Sequence, residues 1–226
     1  MNMNNQQMNS IRNDYRQHIL KEDQLNENPL VLFSDWLNQA IEMSVPEPTA
    51  MSLATIDLNG APDARIVLLK EVNENGFLFF TNYESNKGQS IEQNSSVALV
   101  FLWKEMERQV RVKGIAEKIS NEESAKYFQS RPRESQISAW CSPQSQIISS
   151  RDFIEDKWKE TNIKFEGVDP LPLPPFWGGF LVVPHQIEFW QGRNSRLHDR
   201  IQYIKEKGNW LIRRLAPVLL IYFIFY

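Results

Sequence analysis

The sequence predicts a mainly β protein with added helices, an α+β chain whose strands form an antiparallel barrel of the Greek-key type. Short runs of β-forming residues recur along the chain, and Asn59-Gly60 and Asn75-Gly76 separate the first of them as hairpin turns. Helical patterns are inserted between these runs and do not alternate with them. With 226 residues, 42% of them hydrophobic, the chain can bury one substantial core, so we expect a single domain over residues 21–217.

The first regular element expected is a helix. Residues 1–20 are polar, and we expect this segment to be mostly disordered because it has too little apolar surface to pack. Asn28 can cap a helix that Pro29 opens, since proline fits the first turn. Apolar residues then recur at helical spacing and predict the buried face: Phe33, Trp36, Leu37, Ala40 and Ile41.

After Ala50 the hydrophobic period changes from that of a helix to that of strands. The elements expected next are strands over Met51–Ile56, Ala64–Leu69 and Phe77–Thr81, a short helix over Asn86–Glu92, and longer strands over Val97–Trp103 and Gln109–Ile119. A capping box, Ser120-x-x-Glu123, then opens a helix that ends at Arg131-Pro132-Arg133.

The last third of the chain is expected to begin with helical structure and to end with strands. Ser135–Phe165 has a mostly helical pattern, and an extended proline-rich linker follows over Asp169–Pro175. The apolar side of the helical stretch is expected to consist of Phe153, Ile154, Trp158 and Phe165. The strands expected after the linker are Phe180–Val183, Ile187–Gln191, Ile201–Lys205 and Trp210–Leu215. Residues 218–226 form an uncharged apolar extension, for which we expect no function and which is shorter than the roughly 20 residues that span a bilayer.

Charge and cysteine content exclude several functions. A formal net charge of -3 argues against a protein that binds nucleic acid through a broad basic surface. The single cysteine, Cys141, allows neither an intramolecular disulfide nor a thiolate metal cage, and the histidines are too scattered for a histidine-rich metal motif. No signal peptide is visible at the polar start of the sequence, so we expect a cytoplasmic protein that binds neither a metal ion nor a membrane.

Two motifs contain the residue types that bind phosphate. The stretch from Arg193 to Arg200 holds three arginines, a histidine and an aspartate within eight residues. Arg131-Pro132-Arg133-Glu134-Ser135 places two guanidinium groups and a hydroxyl on a rigid turn, and guanidinium groups match phosphate oxygens. The first motif fits a basic hairpin tip equally well, whereas the second favours anion binding. Glycine-rich phosphate loops and the H-E-x-x-H and G-x-S-x-G motifs are absent, so we expect scattered side chains on a β scaffold to hold any phosphate.

Two strand motifs carry weaker signals. Arg65–Lys70 is typical of a core strand with charged ends, because side-chain alternation sends Arg65 and Lys70 to opposite faces. Gln109–Lys113 alternates in the same way, and this pattern fits an ordinary half-exposed strand better than the wall of a groove.

Taken in order, these segments resemble the pyridoxine (pyridoxamine) 5′-phosphate oxidase family, over about residues 12–217. The resemblance rests on an ordered set of motifs: Arg65–Lys70, Phe80-Thr81, Glu107–Val110, Tyr127–Arg133, Ser135–Ile137, Phe176–Phe180, Ile187–Gly192 and Arg196–Arg200. It implies a homodimeric, FMN-binding split β-barrel with FMN at the subunit interface. The implied activity is oxidation of pyridoxamine or pyridoxine 5′-phosphate to pyridoxal 5′-phosphate, with O2 reduced to H2O2.

The resemblance also implies the residues of the site. The residues expected to bind FMN are Arg65, Ile66, Val67, Leu68, Leu69, Lys70, Phe80, Thr81, Lys87, Gln109, Gln144, Ser145, Trp190 and Arg200. Those expected to bind the substrate are Lys70, Tyr127, Arg131, Ser135, Arg196, Leu197 and His198. The resemblance also places Arg196 and His198 beside the reacting carbon of the substrate, so these two are the expected catalytic residues.

The chain departs from the family pattern in three places. The family commonly has an arginine before the residue that matches Lys87, where this chain has Asn86, and that departure puts one contact to the FMN phosphate in question. Arg193-Asn194-Ser195 is a variable insertion, and family members typically stop at the residue that matches Pro217. Two other interpretations stay open. One is another split-barrel flavoenzyme, such as a flavin or deazaflavin-dependent reductase; the other is a non-enzymatic protein that stores flavin or pyridoxal phosphate.

Overall fold

The computed structural model describes residues 19–217, with the side chain of Gln24 excepted. Most of the N-terminal segment expected to be disordered, and the whole apolar extension after Pro217, therefore lie outside the described residues. Contacts between residues divide the described chain into two compact units. The first unit contains residues 19–48, 101–111 and 186–217, and the second contains residues 49–100 and 112–185. The expectation of one domain stays a prediction.

The described residues form five helices and nine strands. The helices are α1 (Pro29–Glu42), α2 (Asn86–Gln93), α3 (Asn121–Ser130), α4 (Arg133–Cys141) and α5 (Arg151–Lys164). The strands are β1 (Ala50–Ile56), β2 (Pro62–Leu68), β3 (Glu71–Asn73), β4 (Gly76–Asn82), β5 (Ser96–Trp103), β6 (Arg108–Lys118), β7 (Trp177–Gln191), β8 (Asp199–Glu206) and β9 (Asn209–Arg214). The strand order is β2-β1-β5-β6-β7-β4-β3, and β8 pairs with β7 and β9.

Helix α1 begins where the sequence predicts. The side-chain oxygen of Asn28 accepts a hydrogen bond from the backbone N–H of Leu30 at 3.0 Å, and Pro29 occupies the first turn. Four of the five residues in the predicted stripe are buried, and Ile41 is the exception because 53% of it is exposed. Ile41 was therefore wrongly placed in the core, since it lies at the margin of the apolar face.

The first hairpin also forms as predicted, but its second strand is not a core strand. Strands β1 and β2 pair antiparallel from Ala50↔Leu68 to Ile56↔Pro62, and the Asp57 carboxylate accepts the N–H groups of Asn59 and Ala61 at the turn. β2 has no buried residue, and Ile66 is 66% exposed. β2 pairs with β1 alone among the described strands, so one face and one edge of it are uncovered.

Two differences from the predicted strands have local causes. The short strand β3 was not predicted, because three residues are too few to show a period of two. β7 is one strand of 15 residues where the sequence suggested two. Pro184 broke the apolar pattern there, but it lies between the part of β7 that pairs with β4, up to Val182, and the part that pairs with β8, from Gln186.

The capping box that opens α3 is confirmed. Ser120 Oγ accepts the N–H of Glu123 at 3.1 Å, and the Glu123 carboxylate accepts the N–H of Ser120 at 3.2 Å. The break in helical structure predicted at Arg131-Pro132-Arg133 is short, because the next helix, α4, already begins at Arg133. The helical stretch that follows divides into α4 and α5. Of the predicted apolar side, Phe165 is buried, Ile154 and Trp158 are partly buried, and Trp158 packs against the core cluster that contains Phe165, whereas Phe153 is exposed.

Aromatic side chains dominate the core of each unit. In the first unit, Trp36 meets the ring of Phe189 edge-on at 5.1 Å, and Tyr203 meets Phe189 at 5.7 Å. In the second unit a cluster beneath α3 and α4 contains Phe128, Ile137, Phe165, Leu171 and Trp177. None of the helices between residues 19 and 217 has the length and apolar character needed to cross a membrane.

Candidate active site

The second unit contains a pocket of about 630 Å³, within the range of pockets that hold cofactors and small ligands. Strand β2 contributes Ile66, Val67 and Leu68, and Lys70 lies two residues beyond the end of the strand. The uncovered face of β2 is therefore explained as part of a pocket wall. The apolar residues that the sequence suggested for a core therefore line the pocket on this side.

A stack of aromatic rings forms a second wall. Phe80 of β4 stacks on Tyr127 of α3, with 3.9 Å between ring centroids, and on Trp177 of β7 at 5.4 Å. The planes of these rings differ by 17° and 12°, so the three rings present nearly parallel faces. Such a wall offers apolar area to a planar ligand and holds its own geometry through packing.

Arg131 follows α3 and brings a positive charge against this wall. Its guanidinium carbon lies 4.8 Å from the centroid of the Trp177 ring and 5.8 Å from that of Phe128. Its Nη1 atom is buried and has no hydrogen-bond partner among the described residues. Burial lowers the pKa of Arg131, and it raises the pKa of Tyr127 beside it. A buried donor without a partner is costly, so the geometry fits an anion that accepts from Nη1.

Two lysines add charge to the same pocket. Lys70 lies after β2, and Lys87 lies in the first turn of α2, where its Nζ donates to Ser85 Oγ at 3.3 Å. Burial, and next the charge of Arg65, lower the pKa of Lys87. No aspartate or glutamate is found among the described residues that line the pocket. The described lining thus combines three cations, and Asp63, whose charge raises the pKa of Lys87, lies outside it.

Small polar side chains complete the lining. Thr81 of β4, Ser135 of α4 and Gln144 after α4 line the pocket together with the cations. Hydroxyl and amide groups can donate to phosphate oxygens while staying neutral. With Arg131, Lys70 and Lys87, they form a donor set suited to more than one phosphate group.

Three residues of the second unit that were predicted for FMN lie outside the lining. Arg65 turns back onto its own sheet, where its guanidinium pairs with Asp63 and donates to Thr55 Oγ1 at 2.7 Å. Leu69 is buried, and Ser145 is exposed next to Gln144. These three assignments stay predictions.

The pocket also has lining residues that sequence reasoning did not assign to the site: Asn82, Pro132, Ser138, Ala139, Ser142 and Trp177. Trp177 belongs to a motif on which the family resemblance rests, so its position had a signal. Ser138 and Ser142 lie one and two turns along from Ser135, and only the register of α4 reveals that they face the pocket.

The first unit holds the remaining predicted residues. Between β7 and β8 the His198 ring lies 4.6 Å from the ring of Trp190, and His198 Nδ1 accepts the backbone N–H of Arg193 at 3.1 Å. Burial, and next the charge of Arg196, lower the pKa of His198. Arg196 and Leu197 are exposed, so both side chains are presented at the surface of this unit.

Arg200 and Gln109 lie on neighbouring parts of the first unit. Arg200 Nε donates to the buried carboxylate of Glu188 at 2.8 Å, and Arg111 donates to the other oxygen of that carboxylate at 3.3 Å. Gln109 is partly buried on β6. Glu188 therefore fixes the Arg200 side chain from within the sheet. The structure collects the predicted residues into two sets, one in each unit.

The residues of the pocket fit a phosphorylated, planar ligand. The unsatisfied guanidinium nitrogen, the three cations and the stacked rings supply what a phosphate and an aromatic ring require. The sheet order and the inserted helices define the class as a split β-barrel of the FMN-binding type. PhzG from Burkholderia lata, solved with tetrahydrophenazine-1-carboxylic acid, has this fold, with a TM-score of 0.82 and 27% identity over 88% of this chain and 98% of that one.

Sequence comparison gives the family. A model of the family described as pyridoxamine 5′-phosphate oxidase matches residues 37–165, and one of the pyridoxine 5′-phosphate oxidase C-terminal dimerisation region matches residues 177–217. The chain belongs to the pyridoxine/pyridoxamine 5′-phosphate oxidase family. It is 52% identical to the enzyme of that name from Rippkaea orientalis, over 92% of this chain and 98% of the other. It is 51% identical to the one from Haemophilus influenzae, over 93% of this chain and the whole of the other.

Proposed function

We propose that this protein catalyses the FMN-dependent oxidation of pyridoxamine 5′-phosphate or pyridoxine 5′-phosphate to pyridoxal 5′-phosphate, with O2 reduced to H2O2. The observation that carries the proposal is Arg131, a half-buried guanidinium whose buried Nη1 atom has no hydrogen-bond partner among the described residues and which lies beside stacked aromatic rings. The chain is also about half identical to curated oxidases of this name. The role is vitamin B6 biosynthesis and salvage.

FMN fits the wall formed by β2 and the first turn of α2. The strand Arg65–Lys70 would lie along it, with Phe80, Thr81 and Gln144 around it and Lys87 near its phosphate. FMN, when bound, supplies the hydride acceptor and returns the electrons to oxygen. The family resemblance is the basis for proposing four further FMN residues: Gln109, Ser145, Trp190 and Arg200. Positive charge on arginine and lysine near a flavin favours its reduced anionic form.

The substrate phosphate fits the group formed by Lys70, Tyr127, Arg131 and Ser135. All four side chains line the same pocket, and the buried Nη1 atom of Arg131 has no acceptor in the described part of the chain. Bound there, a phosphate would fix one end of a small molecule and leave its ring for the flavin. The main task of the protein is then to hold the substrate ring in contact with the flavin ring. Such placement turns a bimolecular reaction into an effectively unimolecular one, which raises its rate.

Arg196 and His198 are proposed as the catalytic residues, with Leu197 beside them against the substrate. Their proposed role is to orient the amine or hydroxyl of the substrate and to assist the loss of its proton. The lowered pKa of His198 supports this role, because the imidazole is then neutral at pH 7. Its packing against Trp190 gives the ring one orientation.

We propose a homodimer with FMN at the interface between subunits and with a cytoplasmic location. The match of residues 177–217 to the dimerisation region of the family supports the dimer. Exposed apolar residues on β2 are consistent with a surface that bound FMN and a second subunit would cover. The single cysteine is consistent with a reducing compartment.

The test is an absorbance spectrum of the purified protein before and after anaerobic addition of pyridoxamine 5′-phosphate. We expect a flavin spectrum that bleaches on addition, and release of peroxide once air is admitted. A yellow protein that neither bleaches nor releases peroxide would instead be a flavin store. Bleaching only by a reduced nicotinamide or deazaflavin would identify a reductase of the same fold.

A further inference from the structure

The loop between β7 and β8 is built around His198. Gln191 and Asp199 pair across the two strands, so residues 192–198 form the connection. Within it Ser195 and Arg196 have φ angles of 56° and 61°, in the left-handed region that side chains other than glycine rarely adopt. Such a backbone persists only where surrounding contacts hold it, and two neighbouring residues in this state require a firm support.

Asp199 anchors the start of this loop at Arg193. The side chain is 13% exposed, and its Oδ2 accepts Arg193 Nη1 at 3.0 Å and the backbone N–H of Leu20 at 3.2 Å. Its Oδ1 accepts Arg214 Nη1 at 2.7 Å. Arg214 in turn pairs with Glu22 and donates to the backbone carbonyl of Leu20 at 2.8 Å. One carboxylate therefore joins the start of the loop, β9 and residues 20–22.

The hydrogen bond between Arg193 and His198 inside the loop determines which ring nitrogen of the neutral imidazole carries the hydrogen. The backbone N–H of Arg193 donates to His198 Nδ1, and a nitrogen that accepts a hydrogen bond cannot also carry a hydrogen in the neutral ring. The neutral imidazole therefore has its hydrogen on Nε2. A neutral His198 can donate a hydrogen bond from Nε2 but cannot accept a proton there.

We propose that the ion pair between Arg193 and Asp199 is a positioning device for His198: it holds the Arg193 N–H against Nδ1, so that His198 meets the substrate as a hydrogen-bond donor through Nε2. This inference rests on the proposed function and narrows the role of His198 from proton removal to orientation. It also gives a role to Arg193, which lies in the part of the loop that varies within the family and was not assigned to the site. Arg193 and Asp199 act through His198 and are positioning residues.

The test uses the full-length protein with bound FMN and ¹⁵N-labelled histidine. The His198 signals are assigned by their loss in His198→Gln, and their shifts show which nitrogen accepts a hydrogen bond. We expect the Nδ1 signal to move in Arg193→Met and in Asp199→Asn, and to return in Arg193→Lys, which restores the charge. In the same variants we expect kcat to fall about tenfold with little change in KM or FMN retention, because orientation helps the reacting complex most.

The matched control is Arg213→Met. This change breaks an ion pair of 2.7 Å between Arg213 and Glu206, also on β8 and β9 but outside the loop. We expect it to leave the His198 signals and kcat unchanged. The proposal is overturned if the Nδ1 signal of Arg193→Met coincides with that of the wild type, or if FMN retention falls in step with kcat. The NMR readout needs no turnover, so failure of the proposed oxidase activity would be seen separately as absence of peroxide in the wild type.

Discussion

The guanidinium of Arg131 lies over the face of Trp177, 4.8 Å from the ring centroid, while its buried Nη1 atom has no acceptor within residues 19–217. The ring holds the charge in place but gives it no hydrogen bond, so the donor is kept ready for a ligand. Arg133, two residues further along the chain, has a structural role instead. Its guanidinium donates to the backbone carbonyls of Phe165 and Val168 at 2.6 and 2.8 Å.

Arg131→Ala is therefore expected to raise KM for pyridoxamine 5′-phosphate by about 10–100-fold, the loss typical of a hydrogen bond to a charged group. Steady-state kinetics measure this change, and kcat is expected to fall less. Arg133→Ala is the control: it should lower the melting temperature and leave KM unchanged. An unaltered KM in Arg131→Ala would remove Arg131 from the phosphate site.

Arg196→Leu is expected to cut kcat by about 10²-fold or more while FMN stays bound, because Arg196 is proposed to act on the substrate and not to hold the cofactor. Turnover and the flavin content of the purified variant are measured together. Arg213→Leu removes an arginine from the same unit and should change neither. Equal losses of turnover and flavin would give Arg196 a cofactor role instead.

Asn86→Arg is expected to tighten FMN binding about 3–10-fold, since it restores the arginine common in the family at the start of α2 beside Lys87. Fluorescence titration of the flavin-free protein gives the dissociation constant. Gln93→Arg adds the same charge at the other end of α2 and should have little effect. Equal tightening by both variants would point to overall charge and not to a phosphate contact.

The pH dependence of His198 is expected to respond to Arg196. Burial and the charge of Arg196 lower the pKa of His198 below 6.5, and Asp199 opposes them. As the pH falls below 6.5 the unfolded chain takes up the proton first, so stability due to neutral His198 is present above 6.5 and is lost as pH falls through the lowered value. NMR titration of Arg196→Leu should show a pKa of His198 closer to 6.5, whereas an unshifted midpoint would mean that the charge of Arg196 does not contribute.

Gly88→Ala is expected to lower the free energy of unfolding by about 1–3 kcal/mol. A Cβ at this position in α2 would overlap the backbone carbonyl of Tyr83, and a backbone atom cannot rotate away. Thermal or urea denaturation measures the loss, and flavin content should fall too because α2 carries Lys87. Gln93→Ala, an exposed change in the same helix, should cost less than about 0.5 kcal/mol.

The elements that the sequence predicts well are those that local chemistry determines. Asn28 and Ser120 accept N–H groups of the next turn, and Asn59-Gly60 suits a tight turn, so the start of each element is written in a few neighbouring residues. The continuity of β7 through Pro184 depends instead on which partner each half of the strand meets. Distant pairing of this kind leaves no mark in the local pattern.

The candidate site was predicted in composition but not in arrangement. The family motifs identify Lys70, Lys87, Tyr127, Arg131 and Ser135 individually, and the structure brings all five into one pocket. Side-chain direction is a separate matter. Arg65 is next to Ile66 on the same strand, but its side chain turns toward Asp63 and Thr55. Its guanidinium pairs with the carboxylate of Asp63 and donates a hydrogen bond to Thr55, and these nearby acceptors determine its direction. The exposure of β2 was likewise hidden, since an apolar strand that faces a pocket has the composition of one that faces a core.

The side chain of Arg214 pairs with Glu22 and Asp199 and also donates to the backbone carbonyl of Leu20. Arg214 thus connects the first and the last described stretches of the chain through ion pairs and a hydrogen bond. A deletion that removes β9 would therefore release residues 20–22 and loosen the His198 loop in the same event, because Arg214 and Asp199 connect all three.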